Sequence, residues 1–523
     1  MHEGYRAGWQ RRFCVHALGA LLVGVACDAT PIPGRAVLGA SADKTPAVAE
    51  HAVGAAPYAQ CATMRQVQPA DIVRVDGDRL YLLSEYRGLV TFDLSDIDHP
   101  RELWQSAVVG IPVGIFVRDG IAVIAVSDWE RPGDTPFHGS VLRAIDVTSE
   151  GPVLRGEVVL PGNIRDVHAV DDTFYVLHED SADTSGPSIA VTSFHLERGA
   201  LRRRGEFQVT GSRGSFAVGT TKIVLARRSM DGSATDLTLI DINADPTGAF
   251  NARGSIHVSG SLPFGIEPQL DDEERLVRVI TCASADCPPG SPLLLSVIDA
   301  IDFDQPVRIA ELPLPVVHGS LLAKFDADRL YLAGNGGYGR GDGTSTVNVV
   351  NLAPPTRPSI KGSIVVRGAV SNLVPLGDRL LAVGAGGTPI STIHVRVHEI
   401  DVTPGKRTML VGAAEFGEDW TSSLAADTSQ ALAVDGERWV ALPFSTWNDD
   451  LRRYANGVEL LRRAPRLARA GAVSATGWVE RVLFLKGRLV AVSATGLTVV
   501  DPDRVGRSPI GLEGSGPWEG NIR

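Results

Sequence analysis

Past residue 70, polar tight turns and short apolar runs alternate at a steady interval. The clearest copies are Asp76-Gly77-Asp78-Arg79-Leu80-Tyr81-Leu82-Leu83 and Asp326-Ala327-Asp328-Arg329-Leu330-Tyr331-Leu332. Nine such runs begin at Leu80, Ile121, Phe174, Ile223, Leu276, Leu330, Leu380, Trp439 and Leu489, about 51 residues apart on average. Asp-Gly and Gly-Asp pairs accept the positive φ of hairpin turns, so each run is predicted to be a strand that follows a hairpin. Downstream stands an apolar-Asp-apolar triplet, centred on Asp93, Asp146, Asp241, Asp299 and Asp401, with His195 and Asn351 replacing the acid in two units. Repetition unit after unit marks this Asp as structural, bonding the turn that follows it. A further apolar run closes each unit, as in Gly156-Glu157-Val158-Val159-Leu160.

Four short strands in about 50 residues describe a propeller blade. One blade has two apolar faces and cannot bury both alone, whereas stacking blades around an axis does. The expected fold is therefore an all-β propeller of four-stranded blades, eight or nine of them, with nine units counted between residues 69 and 518. Ring closure is expected from pairing of residues around Met64 to Val67 with Pro509 to Leu512. Helical periodicity is scarce, and only Leu451 to Ala470, with its Arg clusters, reads as a short helix or a blade-edge insertion.

The stretch Ala70-Asp71-Ile72-Val73-Arg74-Val75-Asp76-Gly77-Asp78-Arg79-Leu80-Tyr81 resembles the opening blade of the secreted bacterial β-propeller domain proteins, distant relatives of WD40. Residues Thr421 to Phe444 resemble a late block of that family, with Asp427-Thr428-Ser429-Gln430 where the family carries an Asp-His-Lys-like segment. The resemblance implies an exported propeller and no particular reaction.

The N-terminus reads as an address. Arg6, Arg11 and Arg12 precede an apolar run from Phe13 to Ala26, which ends in Gly24-Val25-Ala26-Cys27. A basic start, a short apolar segment and small residues at its end describe a secretory signal over residues 1–26. Two processing routes stay open: lipidation of Cys27, which makes a membrane-anchored lipoprotein, or plain cleavage after Ala26 and secretion. Residues 27–60, rich in Ala, Pro and Gly, bury too little to offset their ordering entropy and read as a flexible tether. Residues 61–523 form the propeller domain.

Composition narrows function. The net charge of −11 disfavours nucleic-acid binding. Five cysteines fit export: Cys14 lies in the signal and Cys27 at its edge, Cys61 has no obvious partner, and Cys282 and Cys287 sit in a Pro/Gly loop where a small disulfide is expected. No set of Cys and His completes a metal cage, no cofactor motif occurs, and no Gly-x-Ser-x-Gly elbow is present. His394, Arg396 and His398 alternate on a strand, and a cation between two histidines reads as a solvated face rather than a zinc site. The glycine-rich run from Asn335 to Gly343 reads as a loop between the second and third strands.

Residues eight or nine before each apolar run begin the innermost strand, near one mouth of the axial channel. Asp71, Arg165, Asp166, Glu267, Asn372, Gln430, Glu480 and Arg481 fall there and are the binding candidates. The favoured function is a monomeric binding or scaffold module at the cell envelope, with a protein or a glycan as partner. The alternative is an enzyme, carbohydrate-active or otherwise hydrolytic, with paired carboxylates at the channel mouth. A quinone-dependent dehydrogenase lacks its regular tryptophan motif and vicinal cysteines.

Overall fold

The computed structural model describes residues 65–505, apart from 131–137, 149–150, 181–186, 212–213, 230, 285–286, 336–342, 387–392, 418–419 and 449–452. Its strands form nine antiparallel sheets, one per repeat unit. Blade 1 comprises Val73–Asp76, Arg79–Ser84, Gly88–Asp93 and Arg101–Ser106. Blades 2 to 9 follow over 111–161, 163–210, 214–259, 269–314, 320–367, 369–416, 421–475 and 479–500. Blade 9 has three strands among the described residues. The fold is thus a nine-bladed propeller, at the upper count that the repeats imply.

Sandwiching between neighbours explains the apolar runs. A second strand has a blade on each side, so both of its faces are buried and alternation disappears. Leu80, Leu82, Leu330, Leu332, Leu380 and Leu381 are all fully buried. Outermost strands alternate instead, because one side meets water. In the up-and-down order of each blade, the first-to-second and third-to-fourth connections lie at one end, called the turn face here. The second-to-third loops and the blade-to-blade connections lie at the other, the loop face.

The repeated Asp at the end of the third strand performs the expected task. Asp93, Asp146, Asp241, Asp299 and Asp401 each accept a hydrogen bond through Oδ1 from the backbone N–H two residues on, at 2.9–3.0 Å. Backbone and side-chain bonds from Ser95, with Arg101 nearby, hold the Asp93 carboxyl at about 2. At Asp401 burial pushes upward, but bonds from Thr403 and Arg379 outweigh it and leave the group at about 2. A depressed carboxyl contributes stability that is full above its unfolded value and disappears as pH falls through the folded one. Asp93→Asn and Asp401→Asn are expected to be less stable than wild type at pH 7. That gap should narrow as pH falls from about 4 and close near pH 2, as read by urea unfolding across pH.

The basic residue of the turn pattern is a latch between blades. Lys222 Nζ donates to Ala300 O at 2.8 Å, Arg329 to Val402 O at 3.2 Å, and Lys486 to Leu94 O at 2.8 Å; Arg79 donates likewise to Val147 O. Each acceptor is the carbonyl just after the turn-forming Asp of the next blade. Lys222 also lies 4.5 Å from the Phe303 ring centroid.

Three expectations change. Leu451 to Ala470 contributes no helix among the described residues: Arg453–Arg462 and Ala468–Ala475 are the third and fourth strands of blade 8. Half-buried Arg463 between them pairs with buried Glu399 of blade 7, at 2.7 Å. His394–Asp401 is a strand as expected, but its face is solvated only in part. His398 is buried and shares a 2.7 Å hydrogen bond with Arg367 O, and Arg396 pairs with Glu415. Finally, Val67 does not pair with the C-terminus: Val67–Pro69 joins the inner strand of blade 3, Val67 opposite Val170. Met64 and Pro509–Leu512 lie outside the described residues.

Blade 9 closes the ring by packing and ion pairs. Val490 and Val492 share a core with Leu82, Leu89 and Ile124 of blades 1 and 2. Arg488 reaches Asp98 through two bonds, at 2.6 and 3.1 Å. Cys282 and Cys287 are disulfide-bonded with Cα atoms 5.5 Å apart, at the loop face of blade 5. Cys61, like the signal and tether residues, lies outside the described set.

Candidate functional site

Arg165, Asp166, Asn372, Glu480 and Arg481 lie in the first halves of innermost strands, Asp71 and Glu267 just ahead of theirs, and Gln430 in a 3-10 turn; backbone irregularity decides where they point. In blades 2, 3, 7 and 9 the inner ladder slips by one residue, skipping Val113, Arg165, Ser371 and Glu480. Such a bulge re-aims the side chains beside it. The residues that follow, Gly114, Asp166, Asn372 and Arg481, meet their own or neighbouring inner strands rather than converging on one open cavity.

At the junction of blades 8, 9 and 1, Arg481 Nε donates to Asp71 Oδ1 at 2.9 Å and its Nη2 to Gln430 Oε1 at 3.2 Å. Gln430 Nε2 in turn donates to Ala70 O at 2.9 Å. Arg481 and Gln430 are buried. Asp71 also caps its neighbour, accepting from Ile72 N at 2.7 Å. Elsewhere, Asn372 Nδ2 donates to Ala425 O at 2.8 Å, tying blade 7 to the short 3-10 turns that replace part of the inner strand in blade 8. Asp166 accepts from Val167 N at 2.7 Å and shares a 2.9 Å hydrogen bond with His168 Nε2. Arg165 pairs with Glu179 at 2.7 Å. Glu267 and Glu480 are half-buried, on the approach to the inner strand of blade 5 and within that of blade 9. The structure therefore brings Asp71, Gln430 and Arg481 into one network and leaves the other candidates in separate local pairings.

The channel wall has a further layer. Residues 65–71 run inside the ring as a strap. Arg65 donates to Ile242 O of blade 4 at 3.1 Å and to Asp171 of blade 3 at 3.1 Å. Its contact with Ile242 O fills the latch position for which blade 3, starting its second strand with Thr173, has no cation. Val67–Pro69 then pairs along blade 3. Ala70 N donates to Val167 O at 3.1 Å, and Ile115 N of blade 2 donates to Asp71 O at 2.8 Å. The chain turns there and returns as the inner strand of blade 1. Half-buried Arg74 secures the turn, donating to Ile115 O at 2.9 Å and to Pro69 O. Burial lowers its pKa, with the Asp71 carboxylate opposing. The strap and its partners thus involve blades 1, 2, 3, 4, 8 and 9.

Among the described residues, no group of three His, Cys, Asp or Glu is placed to hold a metal ion. A cavity of about 380 Å³ lies on the turn face between blades 5 and 6, beside Asp271, Asp272 and Arg278. Its guanidinium is spent on Gln269 Oε1 and Ala327 O, at 3.0 and 2.6 Å.

The feature that sequence reading missed lies on the loop face. Every exposed aromatic side chain among the described residues is there: Tyr86, Phe264, Trp420, Tyr454 and Trp478. Three of them, Phe264, Trp420 and Trp478, stand just ahead of an inner strand, so aligning the blade-to-blade connections would have revealed the bias. Trp420 adopts φ +63°, a left-handed backbone that bulky residues rarely hold, and such strain collects at functional positions. Exposed Val109, Ile111 and Val316 add to the same face.

No family model matches the sequence, and neither does any curated protein. Solved structures similar to it include BamB from Moraxella catarrhalis, at 13% identity and TM-score 0.39, covering 83% of this chain and 97% of that one. The periplasmic gluconolactonase PpgL of Pseudomonas aeruginosa is similar at 12% identity and TM-score 0.34, covering 83% and 99%. The β-propeller domain of the Trilobed protease from Pyrococcus furiosus is similar at 11% identity and TM-score 0.32, covering 63% and 92%. The chain's own nine sheets place it as a nine-bladed all-β propeller.

Proposed function

We propose that this chain is an exported binding module at the cell envelope, a monomer that recognises its partner with the loop face. One observation carries the reading: all five exposed aromatics among the described residues are on that face. Aromatic side chains supply large contact area at low entropic cost and are enriched where proteins meet partners. The turn face is by contrast acidic, with Asp78, Asp171, Asp172, Asp271, Asp328 and Asp378 in its turns. Binding is favoured over catalysis because the inner carboxylates Asp71 and Asp166 are engaged by Arg481 and His168, and the strap occupies the channel wall beside them.

The N-terminal segment supports the address. Arg65, the first described residue, lies at the turn face beside Asp171, on the side opposite the aromatics. A lipid on Cys27 would keep the propeller at the membrane through the tether and leave the aromatic face free to meet a partner. Two measurements test this reading. Intact mass of the mature protein from native membranes should lack residues 1–26 and carry acyl chains, and Cys27→Ser should carry none. Clean cleavage without lipid would make the protein freely secreted. Retention of purified protein by isolated envelopes should fall at least tenfold when Trp420, Tyr454 and Trp478 are replaced together by Ala, and stay unchanged for Glu437→Ala on the turn face. Equal retention by all three proteins would contradict the assignment of the face.

A further inference from the structure

We infer that the loop-face end of the seam between blades 8 and 9 is a glycan-binding platform, an inference that rests on the loop face being the recognition face. Blade 8 gathers aromatics there on successive strands. Trp420 precedes Thr421, whose ladder partner is Thr446. Trp447 follows Thr446, and Trp447 stands directly opposite Tyr454, their ring centroids 5.1 Å apart and edge to face. Trp478 lies on the connection from blade 8 to blade 9. Trp420, Tyr454 and Trp478 are each 39% exposed.

Strand alternation says which side of the sheet these rings occupy. Trp439, Ala441, Val458 and Leu460 pack with Val479, Val482 and Leu489 of blade 9. Residues at even spacing from them share that side, so Ser445, Trp447, Tyr454 and Asn456 all face the same seam. Ser445 and Asn456 are ladder partners one step below the rings. Ser445 Oγ and Asn456 Oδ1 are buried, and neither has a hydrogen-bond partner. Ser445 is only 2% exposed. A buried polar atom left without a partner is costly, and a ligand that supplies the bond recovers that cost.

Rings above, with a hydroxyl and an amide oxygen beneath, fit a sugar. A β-linked pyranose has flat faces of C–H groups that lie against an aromatic ring, and its edge carries hydroxyl or acetamido donors. Trp447 and Tyr454 are in contact, so a donor reaches Asn456 Oδ1, and another Ser445 Oγ, only past the outer edge of the ring pair, by a swing of the half-exposed Tyr454. A purely apolar protein surface would leave both atoms unsatisfied. The platform therefore takes a chain of β-linked sugar residues, one ring stacked on Trp478 or Tyr454 and the next over the polar floor.

The test titrates the purified mature protein with cellotetraose and, separately, with chitotetraose, following tryptophan fluorescence. Saturable quenching is expected with at least one of them. Trp478→Ala and Tyr454→Ala should weaken binding at least tenfold, and Ser445→Ala should weaken it while leaving the melting temperature near wild type. Glu437→Ala, exposed on the turn face of the same blade, should bind like wild type. Preference for chitotetraose would assign the Asn456 contact to an acetamido N–H. Absence of quenching by either sugar, with envelope retention still dependent on Trp478, overturns the glycan platform and leaves a protein partner on the loop face. If quenching is absent and retention ignores the aromatics, both the platform and the recognition face fall.

Discussion

Arg481→Ala is expected to destabilise the protein by about 3–5 kcal/mol, because removing one partner of a buried pair leaves the other uncompensated. The Arg481 side chain is 3% exposed and that of Asp71 is 16% exposed. Loss of the guanidinium strands the Asp71 carboxylate and Gln430 Oε1 together, at the junction where blades 8, 9 and 1 meet. No strand crosses from blade 9 to blade 1 among the described residues, so this junction leans on side chains more than a strand-exchanged ring would. Urea unfolding of wild type, Arg481→Ala and Arg481→Lys measures the effect. Lys keeps the charge but not the fork that reaches Asp71 and Gln430 at once, and should fall between the other two. A loss below about 1 kcal/mol for Arg481→Ala would place ring closure elsewhere.

The strap makes a second strong prediction at Gly114. A Cβ built there would lie 2.6 Å from Ala70 Cβ and 3.1 Å from Ala70 Cα. The strap must give way to any side chain on the inner strand of blade 2. Gly114→Val should cost about 1–3 kcal/mol by overpacking. The milder pair Gly114→Ala and Ala70→Gly forms a cycle. Ala70→Gly removes the closest atom, so the double variant should be more stable than the sum of the single effects predicts, by about 0.5–3 kcal/mol. Additive effects would mean that the strap does not lie against blade 2 in solution. Thermal unfolding of the four proteins decides between these outcomes.

These two sites show where sequence reading stops. The repeat and its turns were legible because a blade is a local object. Asp76-Gly77-Asp78 sets a hairpin within a few residues, and Asp93 or Asp401 bonds the N–H two positions on. The Arg or Lys that follows the turn was visible as part of the pattern, yet its partner lies in the next blade, some 70 residues away for Arg79 and Arg329. The strap was out of reach for the same reason. Gln68 pairs with Ala169, and nothing in a run of seven residues distinguishes an inner strap from a closing strand. The Arg clusters of Leu451 to Ala470 read as a short helix or an insertion, and nothing local to them showed that Arg463 pairs with Glu399 of the neighbouring blade.

Within the candidate site, positions were read better than roles. Asp166, Asn372 and Arg481 do start inner strands, but a one-residue bulge turns them toward one another and toward neighbouring strands. A bulge depends on how two strands pair, and periodicity along one strand carries no trace of it. Of the loop-face aromatics, Phe264, Trp420 and Trp478 show only when the blade-to-blade connections are aligned. Trp447 and Tyr454 meet only because blade 8 folds their strands side by side.

The most direct test of the account places a photoreactive amino acid at Trp478 or Phe264 on the loop face, and at Glu437 or Asp328 on the turn face. Each variant is irradiated in intact cells that make the protein from its own leader. The account predicts partner adducts from Trp478 and Phe264, with none from Glu437 or Asp328. Adducts formed from the turn face alone would contradict it, because the acidic side would then be the one that meets the partner.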